Sequence, residues 1–250
     1  MITKAVILTA GMGTRLRNVT NDEIPKPFLR INNKPLIERS IEKLKDSGIK
    51  EIILVTGHLD YFFEELKNKY EGIKTVKNEN YSVTGSMASF YCSKKLVGND
   101  DILLLEGDLI YEKRALDILL SSPEKDIILL SEDKKMSDDY YVELSDENNI
   151  NKITNDLSEI KGNFGEWTGI QKVSNELCQA MFKKFEEENN PKLGYEPCFE
   201  KTAKERLVYC KRVDGILWSE IDDEYQLNGV MKNLYSKLLE KGEAKYEKNI

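Results

Sequence analysis

Leu8-Thr9-Ala10-Gly11-Met12-Gly13-Thr14-Arg15-Leu16, followed by Pro25-Lys26-Pro27, is the stretch on which the reading of this chain turns. It continues the apolar run Ala5-Val6-Ile7, so a buried first strand feeds a glycine loop. Glycines placed there let backbone N–H groups approach an anion closely. Two better-known phosphate loops do not fit. The dinucleotide fingerprint needs a third glycine where this chain has Leu16, and the P-loop needs a Gly-Lys-Ser/Thr triplet that the chain lacks. What is left is G-x-G-T-R with a lysine eleven residues after the arginine, set between prolines. Arg15 offers a planar fork, and Lys26 a compact charge, to an anion held at such a loop.

Charge around the loop points the same way. The 250 residues carry a net charge of −7, yet residues 1–50 hold ten basic and five acidic side chains. An acidic chain is a poor dedicated nucleic-acid binder, whereas a basic beginning suits a small anionic ligand. His58 is the one histidine and reads as a loop residue after a strand, which turns attention to carboxylate, metal and Lys/Arg chemistry. Cys92, Cys178, Cys198 and Cys210 form no C-x-x-C pair; they read as buried free thiols rather than a zinc site or a disulfide framework. Apolar runs are far shorter than a membrane span, so the expectation is a soluble, cytoplasmic protein with no membrane or nucleic-acid partner.

Short β-branched runs alternate with amphipathic segments, the pattern of a mostly parallel α/β sheet. Strands are expected at Lys4–Ala10, Glu51–Thr56, Lys74–Lys77, Ile102–Glu106 and Asp126–Leu130, with helices at Pro35–Ser47, Tyr61–Tyr70, Ser86–Leu96 and Glu112–Ser121. Antiparallel strands follow at Tyr140–Leu144, Ile150–Thr154 and Thr168–Val173, then helices at Ser174–Glu188 and Glu196–Lys204. A strand at Leu207–Arg212 and a last helix carrying Leu227, Val230, Leu234 and Leu238 close the chain. The expectation is one domain, with a core at about 1–110 and 206–246 and an inserted or appended lobe at about 111–205. Asp108 ends an apolar strand, where α/β sheets place their ligands. Asp222 lies before the last helix, and either aspartate taken alone could be a turn or cap residue.

Thr9-Ala10-Gly11, Gly13-Thr14-Arg15 and Pro25-Lys26-Pro27, in this order, resemble the signature of nucleotidyltransferases that make sugar nucleotides and CDP-linked head groups. The resemblance covers nearly the whole chain and is weakest between 111 and 205. It implies a three-layer, Rossmann-like α/β fold with a small acceptor-binding lobe. It implies that Leu8, Ala10, Gly11, Gly13, Thr14, Arg15, Lys26, Gly85 and Ser86 contact a nucleotide, with Arg15 and Lys26 catalytic. It further implies that Asp108 and Asp222 bind Mg²⁺, with Glu106 and Asp223 as neighbours easily confused with them. Ser86 also suits a helix N-cap, and Gly85 a close backbone approach.

Among such families the chain is most similar to CTP:2-aminoethylphosphonate and CTP:phosphocholine cytidylyltransferases. The implied reaction moves CMP from CTP to 2-aminoethylphosphonate, with phosphocholine or phosphoethanolamine as the alternative acceptor. A sugar-1-phosphate nucleotidyltransferase and a non-catalytic nucleotide-binding regulatory subunit are the more distant readings. A phosphate nucleophile, with its second pKa near about 6, is largely charged at neutral pH and needs no general base, in keeping with the scarcity of histidine. A quaternary amine wants aromatic faces, and a primary ammonium wants acceptor oxygens. Acids adjoin the aromatic groups at Asp138-Asp139-Tyr140-Tyr141, Glu166-Trp167 and Tyr195-Glu196. Tyr195 and Glu196 are the first candidates for the amine, then Trp167 and Tyr140. Oligomeric state leaves no signal in the sequence.

Overall fold

A computed structural model describes residues 1–132 and 140–247. The acidic pair Asp138-Asp139 therefore lies outside the described residues. The strands are β1 (Lys4–Leu8), β2 (Arg30–Ile31), β3 (Lys34–Pro35), β4 (Glu51–Thr56), β5 (Ile73–Lys77), β6 (Ile102–Glu106) and β7 (Leu109–Tyr111) in the first part of the chain. β8 (Ile127–Ser131), β9 (Tyr141–Leu144), β10 (Ile150–Thr154), β11 (Phe164–Val173), β12 (Tyr209–Val213) and β13 (Trp218–Glu220) follow. The helices are α1 (Arg17–Thr20), α2 (Leu36–Asp46), α3 (Tyr61–Lys69), α4 (Ser86–Cys92), α5 (Lys94–Val97), α6 (Arg114–Ser121), α7 (Asn175–Glu188), α8 (Tyr195–Ala203), α9 (Glu224–Gly229) and α10 (Tyr235–Glu240).

Among the described residues one nine-stranded sheet dominates, with the path β10-β9-β11-β6-β1-β4-β5 and β8-β12 joined to it through β11. Strands β6, β1, β4 and β5 are mutually parallel, and β11 runs antiparallel to β6. Alternation explains why their sequences are continuous apolar runs. Ala5, Ile7, Ile52, Leu54, Leu103 and Leu105 join one core with Ile37, Ile41 and Leu44 of α2 and Phe63 and Leu66 of α3. Val6, Ile53, Val55, Ile102 and Leu104 join another with Met87 and Phe90 of α4 and Leu177, Met181 and Phe182 of α7. Both faces are covered, giving the expected three-layer α/β arrangement.

Several boundaries move for local reasons. β1 ends at Leu8 rather than Ala10, because Thr9 turns into the loop while its N–H and hydroxyl both donate to Val55 O. The helix expected over Ser86–Leu96 breaks at Ser93, whose hydroxyl bonds Phe90 O. β11 begins at Phe164, four residues before the expected start, since its first half pairs with β9. Through β11, which pairs with β6, the sheet extends into the segment expected to be an acceptor lobe.

One pair of short strands has no strong local signal: β7 and β13 pair antiparallel, Glu220 opposite Leu109. This register sets Asp108, just before β7, beside Asp222, just after β13, and Ile221 N–H donates to Asp108 O at 3.2 Å. Under this ribbon a small separate core of Leu16, Leu29, Ile31, Leu36, Ile110, Ile221, Val230 and Leu238 seats the segment that follows the glycine loop. Among the described residues no helix is long and apolar enough to cross a membrane.

Candidate active site

The glycine loop, the ends of β4 and β6, and the β7–β13 ribbon meet at the C-terminal edge of the parallel strands. Gly13 takes the left-handed conformation at φ 58°, and a Cβ there would lie 3.3 Å from Lys26 Cβ, so glycine is required for the loop to turn over the lysine. Gly11 has open space on its Cβ side, which leaves its backbone approachable. Lys26 stands in a single 3-10 turn, preceded by Pro25 in extended conformation and followed by Pro27, and is 9% exposed.

The Lys26 ammonium bonds both Asp108 and Asp222 and lies 3.9 Å from Glu220 Oε1. Burial alone would lower its pKa, but the carboxylates of Asp108, Asp222 and Glu220 outweigh that and hold it well above the ordinary lysine range. Arg15 Nη2 lies 2.6 Å from Asp222 Oδ2. Burial would raise Asp222, yet Lys26 and Arg15 bring it below the usual carboxylate range. The sequence-predicted cations and aspartates thus form one charged cluster.

Two further acids belong to it. Oxygens of Glu106, Asp108 and Glu220 all lie within 4.8 Å of one another. Burial, then the charge of Asp108, pushes both Glu106 and Glu220 well above the usual range. Asp108 Oδ1 is buried with no hydrogen-bond partner among the described residues. A group of crowded carboxylate oxygens, one of them unsatisfied, fits a hard divalent cation. Glu106, expected only as a confusable neighbour, and Glu220, which was not singled out, were legible in one respect. Glu106-Gly107-Asp108 and Glu220-Ile221-Asp222 are two copies of the pattern E-x-D, each at the end of a strand. Asp223, by contrast, caps α9 by accepting the Gln226 N–H at 2.8 Å.

A cavity of about 340 Å³ lies beside the cluster. Leu8, Ala10, Gly11, Arg15, Gly85 and Ser86 line it together with Tyr140, Trp167, Tyr195 and Glu196. A second, of about 270 Å³, is lined by Gly13, Thr14, Lys26 and Pro27, and the two share Leu8, Gly11, Arg15, Asp108 and Asp222. Every predicted site residue therefore borders one continuous hollow. Tyr81, Thr84 and Ser89 also line it and were not expected there.

At the far wall, Trp167 Nε1 donates to Tyr195 Oη at 2.9 Å, and Tyr195 in turn donates to Glu106. Trp167, Tyr195 and Phe199 meet edge to face, with ring centroids 5.5–6.1 Å apart. Burial pushes the Glu196 carboxyl up to about 7. The Gly85-Ser86 turn departs from the expected N-cap at Ser86 and shows the close backbone approach expected at Gly85. The N-cap of α4 is Gly85, and the Ser86 hydroxyl instead accepts the Tyr195 N–H at 2.9 Å. Gly85 is needed for protein contact, since a Cβ would stand 2.4 Å from Leu193 O.

Comparison with known proteins places the chain in a family and matches its fold. A family model described as a MobA-like NTP transferase domain matches residues 5–212. Choline-phosphate cytidylyltransferase of Streptococcus pneumoniae is 43% identical over 100 residues, covering 40% of this chain and 43% of that protein. The 2-aminoethylphosphonate cytidylyltransferase of Lancefieldella rimae is 32% identical over 108 residues, covering 43% of this chain and 44% of that protein. The matches thus span less than half the length of these two curated relatives. The fold matches that of the inositol-1-phosphate CTP transferase from T. maritima, with a TM-score of 0.81 and 24% identity over 96% of this chain and 97% of that one.

Proposed function

Because this chain belongs to the MobA-like NTP transferase family, we propose that it is a cytidylyltransferase that moves CMP from CTP to a small phosphonate or phosphate bearing a cationic amine. The observation that carries this reading is the junction of two unlike subsites in one hollow. At one end Arg15 and Lys26 meet a cluster of carboxylates. At the other end aromatic rings stand beside Glu106 and Glu196.

The acceptor oxygen attacks the α-phosphorus of CTP, a new O–P bond forms, and pyrophosphate leaves in line. Arg15 and Lys26 face the oxygens on which charge grows during this displacement, and preorganised cations lower the barrier because they need no reorientation. Gly11 and Gly13 let the loop backbone close on the phosphates. Asp108 and Asp222, with Glu220 and Glu106 beside them, would hold Mg²⁺, which when bound neutralises phosphate charge and orients the leaving group. No histidine is needed as a base for a nucleophile that is already an anion.

The acceptor is 2-aminoethylphosphonate in this reading. Its primary ammonium finds carboxyl oxygens at Glu106 and Glu196. The aromatic wall of Tyr140, Trp167 and Tyr195 favours phosphocholine as a second reading, since a quaternary amine binds ring faces. Pyrophosphate release with Mg²⁺, measured across four nucleoside triphosphates and a panel of both acceptors, phosphoethanolamine and sugar 1-phosphates, tests it. Turnover confined to CTP with an amino acceptor is expected. Turnover with UTP and a sugar phosphate instead, or with no pair, would overturn the reading.

A further inference from the structure

We propose that the turn Glu243–Glu247 is a clamp that sets the spacing between the lysine side and the aspartate side of the site, with Glu243 and Glu247 as positioning residues. The clamp follows from contacts of the fold, and only its effect on turnover rests on the cytidylyltransferase reading above.

Two buried cations on α2 call for such a turn. Arg39 and Lys43 stand four residues apart, and each is only 2% exposed. Like charges at that spacing repel, and a buried charge without its partner is strongly unfavourable. The turn answers with two carboxylates, also four residues apart. Glu243 Oε2 lies 2.8 Å from Lys43 Nζ, and Glu247 Oε1 accepts from Arg39 Nε at 2.9 Å. Between the two glutamates, the Tyr246 ring lies 5.2 Å from Lys43 Nζ, and its hydroxyl donates to Asp46 at the end of α2. The turn is therefore seated on the helix along its whole length.

Each cation also reaches a different half of the site. Lys43 Nζ donates to Tyr111 O, in the last residue of β7, the strand that follows Asp108. Glu243 Oε1 accepts the Lys113 N–H at 2.8 Å, so the lysine and its glutamate hold the same strand end. Among the described residues β7 and β13 pair only with each other, so the ribbon takes its position from side-chain packing and from this hold. Arg39 Nη1 donates to Lys34 O at 2.5 Å and Nη2 to Ile31 O, which fixes the β2–β3 hairpin. The hairpin carries the lysine: Leu36 N–H donates to Leu29 O and Leu29 N–H to Lys26 O, both at 3.0 Å. One turn thus ties the strand after Asp108 and the hairpin after Lys26 to a single helix. Where reacting groups must meet in a fixed geometry, a small shift between such halves is costly in rate.

Amide hydrogen exchange, read by mass spectrometry, separates a clamp from a contact that merely stabilises the fold. In Glu243→Gln, exchange is expected to quicken at least about tenfold over 109–113 and 217–221, while 29–36 stays as in the wild type. In Glu247→Gln the pattern reverses, with 29–36 loosened and the ribbon unchanged. The double variant Lys43→Met/Glu243→Gln removes the buried charge together with its partner, so it is expected to keep about the wild-type melting temperature and still show the loosened ribbon. Each of the three variants is expected to lower kcat for pyrophosphate release by about tenfold. Exchange that quickens equally over 29–36, 51–56, 102–106 and the ribbon, or in none of them, would overturn the clamp. A loosened ribbon with unchanged kcat would overturn its role in positioning. A wild-type protein that turns over no pair of substrates would overturn the cytidylyltransferase reading, while the exchange pattern still decides for or against the clamp.

Discussion

Arg15 Nη2 lies 2.6 Å from Asp222 Oδ2, which joins the glycine loop by charge to the segment that follows β13. Lys26 holds the other oxygen of the same carboxylate and also bonds Asp108. Four acids, Glu106, Asp108, Glu220 and Asp222, thus crowd around two cations. The protein tolerates this surplus by keeping Glu106 and Glu220 well above their ordinary pKa, burial being the first cause and Asp108 the second.

Lys26→Met removes the charge that bridges Asp108 and Asp222. Pyrophosphate release is expected to fall at least about a hundredfold. Thermal melting should show a loss of up to about 3 kcal/mol, because the carboxylates are left crowded and uncompensated. Adding Mg²⁺ should raise the Tm of the variant more than that of the wild type, since the metal supplies the missing charge. Equal shifts would count against a cation site at these aspartates.

Asp108→Asn separates activity from stability. The change removes one of the like charges that raise Glu106 and Glu220, so the melting temperature is expected to hold or rise. Turnover at saturating Mg²⁺ should still drop by about two orders of magnitude. A variant that melts early would mean that Asp108 serves the fold through its bond to Lys26 rather than the chemistry.

Glu196 sets a pH dependence. Its folded pKa, pushed up from 4.5 to about 7 by burial, means that the folded state binds a proton that the unfolded chain has already lost between those values. Stability is therefore greatest below about pH 4.5 for this group and declines as pH rises towards 7, by at most about 3 kcal/mol. Glu196→Gln is expected to flatten that decline in melting curves collected from pH 5 to 8. The acceptor KM should move the opposite way, falling as pH rises to 7 and Glu196 ionises, then levelling. The glutamine variant retains only the weaker dependence that comes from the acceptor's own second ionisation near about 6.

Tyr195→Phe deletes a hydroxyl that accepts from Trp167 Nε1 and donates to Glu106. Leaving both without it is expected to cost about 1–3 kcal/mol by denaturant titration. The acceptor KM should rise severalfold while the CTP KM stays within twofold. A larger effect on CTP than on the acceptor would place the amine elsewhere.

Much of the fold was legible because burial on both faces leaves a plain mark. The runs Ala5–Leu8, Ile52–Val55 and Ile102–Leu105 could only be covered strands, and Glu51–Thr56, Ile102–Glu106 and Ile150–Thr154 begin and end where expected. Arg15, Lys26, Asp108 and Asp222 were also legible, since the G-x-G-T-R loop is distinctive and an acid at a strand end is conspicuous. The β7–β13 ribbon was not, because three-residue strands carry almost no local pattern and exist only through each other. Nor was the partner that closely approaches Gly85, because Leu193 lies far along the chain. The pairing of Ser86 with Tyr195 was hidden for the same reason.

By itself the sequence determined where the long covered strands and their flanking helices form and which side chains carry charge, because hydrophobic periodicity and glycine placement act over a few neighbouring residues. Tertiary structure alone decided which of those charges meet. The register of Glu220 against Leu109 brings Asp222 to Asp108, and the turn at Gly13 lays the loop over Lys26. Bringing together groups 196 residues apart, as Lys26 and Asp222 are, depends on the packing of the whole sheet and its small satellite core. No local rule of sequence contains that distance.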